Sequence, residues 1–105
     1  MALDQKLVRR AEELMRTHNS FARPERETYK KMNEAKDAIE DYVVSLRKNN
    51  AGPINSSKFK KLLDDYRMAA EKWNAAYQAF QKDPSMDEAE KMDRPYRDIF
   101  WKDAL

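Results

Sequence analysis

The chain has 105 residues, no cysteine and a formal net charge of +2 at pH 7. This length predicts a single domain spanning residues 1–105, and the lack of cysteine excludes disulfides, thiol catalysis and thiolate-ligated zinc. A single glycine, few β-branched residues and an abundance of Leu, Ala, Lys and Glu predict an all-α protein.

The first predicted helix covers about residues 4–18. Its apolar positions recur every three or four residues, which is typical of an amphipathic helix. Asn19 and Ser20 then interrupt the pattern, and Pro24 suits the first turn of a new helix. We therefore predict a break before Pro24 and a second helix over about residues 24–48.

The third predicted helix, over about residues 57–82, carries four large aromatic side chains at seven-residue spacing, here called the aromatic seam: Phe59, Tyr66, Trp73 and Phe80. This repeat predicts a row of side chains buried against a neighbouring helix. The loop over about residues 49–57, between the second and third helices, contains Gly52 and Pro53, so these two helices should form a long antiparallel hairpin. We expect the first helix to fill the groove along the hairpin; if it does not, a homodimer would cover the seam.

Short helices are predicted after the hairpin. Asp83 and Pro84 end the third helix, and Ser85 with Glu88 three residues later matches a capping box at a helix start. A short helix and one or two final helical turns should follow. The predicted fold is a small helical bundle, in which the antiparallel hairpin packs with an N-terminal helix and short C-terminal helices.

The sequence does not indicate a catalytic centre. His18, the one histidine, lies on the apolar face of the first helix near its end, where we expect its ring to pack on the core. A nucleophilic triad would require His18 to meet one of the five serines with a carboxylate behind it, and nothing in the spacing suggests this. A chain with one glycine has no glycine-rich phosphate loop. We predict no enzymatic activity, no catalytic or metal-binding residues and no cofactor.

The charge distribution points to one end of the predicted hairpin. Between Asp41 and Asp64 the sequence has no acidic residue. The hairpin brings the basic residues of that window to one end, here called the basic tip: Arg47, Lys48, Lys58, Lys60 and Lys61. Its three lysines lie in the first turn of a helix, where the helix dipole disfavours positive charge. The tip is therefore predicted to bind phosphate, nucleic acid or an acidic protein surface; the alternative is a charged tip that only prevents aggregation.

The C-terminal segment combines aromatic residues with arginine, which is typical of hot spots in protein interfaces. We call four of its residues the C-terminal patch: Tyr96, Arg97, Phe100 and Trp101. On a helix, Tyr96 and Phe100 share one face, whereas Trp101 points about 100° away from Phe100. The patch is predicted either to anchor a protein partner or to form a short helix that closes the open end of the bundle.

These features predict a non-enzymatic protein–protein interaction module, of the small adaptor or inhibitor type. It would bind a macromolecular partner through the basic tip, the C-terminal patch or both. We expect a protein partner with an acidic surface, and the alternative is a nucleic acid bound through its phosphates. Apolar runs of at most three residues predict no membrane-spanning segment and no signal peptide, so we expect a cytoplasmic protein without a membrane partner.

A second alternative is a self-associating structural or secreted helical-hairpin subunit. In length and hairpin plan the chain is comparable to small secreted helical hairpins of the WXG type. Residues 49–57 lack the Trp-x-Gly motif that defines those proteins, so the comparison implies nothing about individual residues.

Overall fold

The computed structural model of the chain describes residues 2–48 and 55–105, and these residues form four helices. In chain order they are α1 (Gln5–Lys48), α2 (Ser56–Gln81), α3 (Ser85–Glu90) and α4 (Arg94–Asp103). The predicted all-α class, the long hairpin (now α1 with α2) and the short C-terminal helices are confirmed. The molecule is a rod with extents of 73 × 23 × 15 Å. Most of the predicted hairpin loop, residues 49–54, lies outside the described residues.

The break predicted before Pro24 is wrong, because α1 continues through Pro24 from Gln5 to Lys48. Proline lacks an N–H donor, and its ring clashes with the carbonyl of the preceding turn, so it normally interrupts a helix. Burial of His18 and Ala22 on one side of the proline holds the helix in place despite this local penalty. The N-terminal helix predicted for residues 4–18 is therefore the first part of a single 44-residue helix.

Replacing Pro24 by alanine should stabilise the protein. The substitution supplies the missing N–H and removes the ring clash, and we expect the free energy of unfolding to rise by about 1–3 kcal/mol. Urea denaturation followed by circular dichroism measures the change, with Arg23→Ala as an exposed control on the same helix. A lower stability of Pro24→Ala would show instead that the packing of α1 requires the proline.

At its N-terminal end, α1 is accompanied by α3 and α4 instead of α2. The backbone N–H of Asp4 donates a hydrogen bond to the Tyr96 hydroxyl over 2.9 Å, which places the start of α4 beside the start of α1. At the other end of α4, the Asn19 amide donates to the Asp103 carbonyl over 3.0 Å and accepts from the Leu105 N–H over 2.9 Å. Helix α4 therefore runs parallel to α1.

The buried residues of the described chain lie in or next to this N-terminal end: Ala11, Leu14, His18, Ala22, Ser85, Ala89 and Phe100. Helix α2 contains no buried residue, and the aromatic seam is only partly buried. The expectation that an N-terminal helix fills the groove of the hairpin is wrong. That segment extends beyond the end of α2 and packs against α3 and α4, so α2 has α1 as its one neighbour among the described helices.

Candidate functional site

The base of the basic tip is organised by Tyr42 of α1. Its ring stacks on Phe59 of α2 with centroids 6.3 Å apart, and its hydroxyl accepts a hydrogen bond from the Asn55 N–H over 3.1 Å. The Lys58 ammonium lies 5.0 Å from the centroid of the same ring, within the range of a cation–π interaction. Tyr42 therefore fixes the first turn of α2 against the last turns of α1.

Asn55 is the N-cap of α2. Its side-chain oxygen accepts a hydrogen bond from the Lys58 N–H over 3.0 Å, which satisfies one of the free amides at the helix start. Either Ser56 or Ser57 also fits a cap by residue type, but Asn55 takes this role in the structure. The cap offsets part of the unfavourable interaction between the helix dipole and Lys58, the lysine in the first turn of α2.

All five residues of the basic tip are exposed at the same end of the rod. Arg47 and Lys48 form the last turn of α1, where the dipole favours positive charge. The first turn of α2 carries no acidic residue. Among residues 2–48 and 55–105, no carboxylate forms an ion pair with any of the five cations. The tip is thus a cluster of solvated positive charges that the described chain does not neutralise.

The structure divides the C-terminal patch between core and surface. Phe100 is completely buried (0% exposed), so the prediction that it anchors a partner does not fit this conformation. Tyr96 is half-buried and its hydroxyl accepts the Asp4 hydrogen bond. Trp101 is 41% exposed, and its indole N–H donates to Glu90 over 3.2 Å. The Arg97 guanidinium lies 3.7 Å from the second oxygen of the same carboxylate.

A buried polar network joins α1 to the α2–α3 connection. His18 Nδ1 lies 3.2 Å from Asp83 Oδ2, and His18 Nε2 lies 2.9 Å from the backbone oxygen of Leu105. The other Asp83 oxygen accepts hydrogen bonds from both the N–H and the hydroxyl of Ser85. His18, Asp83 and Ser85 thus come together, but the serine hydroxyl is directed to the carboxylate. The network connects three segments of chain, and its order, with the carboxylate between the serine and the imidazole, differs from that of a catalytic triad, in which the imidazole lies between them.

His18 lies in the core, as predicted from the sequence, whereas its contact with Asp83 was not predicted. The signal available in the sequence was the Asp83-Pro84-Ser85 turn, in which an aspartate can accept hydrogen bonds from a backbone N–H two residues ahead. Nothing in that turn shows that His18, 65 residues away, lies beside it. Within the described part of the chain, no group of acidic and histidine side chains is arranged to hold a metal ion.

The basic tip and Trp101 lie far apart along the rod. Trp101 is next to His18, with ring centroids 6.5 Å apart, whereas Arg47 lies 29 residues further along α1. At 1.5 Å per residue, this places the two regions about 40 Å from each other. A small partner therefore cannot contact the basic tip and the surface part of the C-terminal patch at the same time.

A shallow groove of about 230 Å³ lies between the middle parts of α1 and α2, and its lining mixes apolar and charged side chains: Thr28, Lys31, Asp65, Met68, Ala69 and Lys72. The Thr28 hydroxyl is engaged locally, since it donates to the Pro24 carbonyl over 2.7 Å. The groove therefore offers apolar contact and scattered charge, without a cluster of convergent polar groups that would orient a small molecule.

Comparison with protein-family models, curated proteins and solved structures finds no match to this chain. Over residues 2–48 and 55–105, none of the helices has the length and hydropathy needed to cross a bilayer.

Proposed function

We propose that this protein is a non-enzymatic protein–protein interaction module that uses its basic tip to bind an acidic surface of a protein partner. The observation that supports this most directly is the state of the five cations, which are exposed, clustered and without a carboxylate partner in the described chain. Such a cluster costs the folded chain some self-repulsion, and a complementary negative surface removes that cost while accelerating association.

The surroundings of Tyr42 favour a protein partner over a nucleic acid. Single-stranded nucleic acids bind by stacking bases on exposed aromatic rings next to basic side chains. Tyr42, an aromatic ring at the tip, is covered by Phe59 on one side and approached by Lys58, and its hydroxyl is hydrogen-bonded to Asn55. The net charge of +2 also provides little long-range attraction to a polyanion.

Trp101 supplies a second, separate contact in this proposal. It is the exposed aromatic residue of the C-terminal patch, and Glu90 holds its indole through the hydrogen bond described above. A large, oriented ring of this kind is a typical anchor in a protein interface. Because the tip lies about 40 Å away, the two contacts would serve different partners or two ends of an elongated one.

The proposal is tested with a tip variant, Lys58→Ala/Lys60→Ala/Lys61→Ala, and a control that removes three exposed lysines elsewhere, Lys6→Ala/Lys30→Ala/Lys82→Ala. Both variants have the same net charge. Partners are captured from an extract of the source cells, identified by mass spectrometry, purified, and assayed for association and dissociation rates. We expect the tip variant to associate about tenfold more slowly at low salt, and the control to match the wild type.

Two outcomes would contradict the proposal. Equal losses in both variants would show that total charge, and not the tip, controls binding. A gel-shift series with duplex DNA and RNA tests the nucleic-acid alternative. Tight binding that disappears in the tip variant would show that the partner is a nucleic acid. The logarithm of the binding constant should then fall with the logarithm of the salt concentration, with a slope of about −0.9 per phosphate contacted.

A further inference from the structure

Helix α2 carries a third row of apolar positions, in addition to the aromatic seam and to the half-buried row of Leu62, Ala69 and Ala76. Leu63, Ala70 and Tyr77 recur at seven-residue spacing, four residues after successive members of the aromatic seam. A helix with one partner needs only two such rows, whereas three rows give a wider apolar stripe typical of helices with more than one neighbour. The stripe of α2 is therefore wider than its contact with α1 requires.

The third row is left uncovered. Leu63 is 40% exposed and Tyr77 is 39% exposed. Tyr77 stacks on Trp73 with centroids 5.2 Å apart, and Trp73 contacts Tyr29 of α1 over 5.8 Å. We call these residues, with the half-buried Ala70, the exposed hairpin face: Tyr29, Leu63, Ala70, Trp73 and Tyr77. Both helices of the hairpin thus contribute aromatic surface to the same side of the rod.

The chain also has a larger solvent-accessible surface than a typical folded monomer of the same mass. Its accessible area is 8051 Å², whereas a folded monomer of 12.5 kDa exposes about 6,200 Å². The radius of gyration is 21.2 Å, against about 13 Å for a compact domain of this length. The surplus of about 1,900 Å² falls within the range of about 1,000–2,500 Å² that each subunit buries in an obligate homodimer.

We propose that a second copy of this chain packs on the exposed hairpin face, in antiparallel orientation, to form a four-helix bundle from two hairpins. The small Ala70 lies midway between the large Leu63 and Tyr77. An antiparallel two-fold axis at Ala70 brings the two alanines together and places Leu63 of each copy against Tyr77 of the other. Small residues at the axis let the two α2 backbones approach closely.

Charge selects the antiparallel arrangement. In a parallel dimer, the two basic tips would lie side by side, and ten unpaired cations would repel each other. The antiparallel dimer places them at opposite ends of the bundle. The inference goes beyond the proposed function and does not depend on it, because the basic tips stay exposed in the dimer.

Light scattering during size-exclusion chromatography, from about 1 to 100 µM, tests the assembly. We expect twice the chain mass of 12.5 kDa for the wild type. Ala70→Glu should give monomers, with a dimer dissociation constant at least about 100-fold higher, because a charge would be buried at the axis. Gln78→Glu, at an exposed position of α2 that is not part of the exposed hairpin face, should stay dimeric. Circular dichroism verifies that both variants remain helical, and a monomeric wild type at 100 µM would overturn the proposal.

Cysteine cross-linking tests the face and the orientation, and the absence of native cysteine makes it unambiguous. Under oxidation, Ala70→Cys should form a disulfide-linked dimer, and an equimolar mixture of Leu63→Cys and Tyr77→Cys should cross-link to each other. Leu63→Cys alone should not. Cross-linking of Leu63→Cys to itself would indicate a parallel dimer, and a dimer in which none of these positions cross-links would indicate another face; either result overturns the proposal.

Discussion

Replacing Phe100 by alanine should destabilise the protein by about 3–5 kcal/mol, the usual range for truncating a buried phenylalanine. Phe100 is 0% exposed and lies in a cluster with Leu14 and Ala89, where it joins α4 to α1 and α3. Its ring also meets the His18 ring edge-on, with centroids 5.6 Å apart. Because small domains are stable by only about 5–15 kcal/mol, this one change removes a large fraction of the total.

The matched control is Trp101→Ala, since Trp101 is the adjacent residue but is 41% exposed. Its removal loses the hydrogen bond to Glu90 and a ring contact with Phe100, and we expect a cost of about 1 kcal/mol. Urea denaturation of both variants gives the two free energies. Equal losses would show that Phe100 contributes no more than its surface neighbour. Hydrogen exchange should show reduced protection in α3 and α4 of Phe100→Ala, with α2 less affected.

The hairpin was predictable because the information that specifies it is local. The aromatic seam and its apolar neighbours define α2 to within one residue at each end, predicted as 57–82 and observed as Ser56–Gln81. The break before Pro24 was a local prediction of the same kind, and it was wrong. Contacts with distant parts of the chain, from His18 to Asp83 before the proline and from Glu25 to Trp73 of α2 after it, hold α1 together there.

The two candidate sites also differ in how far local sequence was sufficient to predict them. The basic tip follows from a charge pattern and a hairpin, so the sequence was sufficient to predict that its five residues lie at one end. To predict which residues of the C-terminal patch are exposed, it was necessary to know which of them are buried. Helical geometry separates Phe100 from Trp101 by about 100°, but it does not show which of the two faces the core. That depends on how α4 docks on α1, which places Phe100 inside and leaves Trp101 at the surface.

The distribution of buried residues gives the rod two unlike ends. The core lies where α1 meets α3 and α4, whereas the hairpin part relies on half-buried aromatic residues from two helices. Elements with few buried contacts open more readily than a packed core. The proposed second copy would add its contacts along this weaker part of the rod, so dimer dissociation should be accompanied by increased hydrogen exchange in α2.

Replacing Asp83 by alanine should have the other large effect, a loss of about 3–5 kcal/mol, because several buried groups lose their acceptor together. The Asp83 side chain is 3% exposed and accepts hydrogen bonds from the Ser85 N–H and hydroxyl while it contacts the His18 ring. In the wild type, every buried side-chain nitrogen and oxygen of the described residues has a partner. Asp83→Ala would leave the serine hydroxyl and one ring nitrogen unsatisfied, and neither is accessible to water.

A double-mutant cycle separates the His18–Asp83 contact from the effect on Ser85. His18→Ala, Asp83→Ala and the double variant are compared by urea denaturation, and Asp83→Asn serves as a control that retains an acceptor for Ser85. Since the two side chains are in contact, we expect the double variant to cost less than the sum of the single variants, by about 1–3 kcal/mol. Asp83→Asn should lose less stability than Asp83→Ala. Additivity within about 0.5 kcal/mol would mean that His18 and Asp83 stabilise the core independently, and that the carboxylate acts chiefly by holding the turn at Ser85.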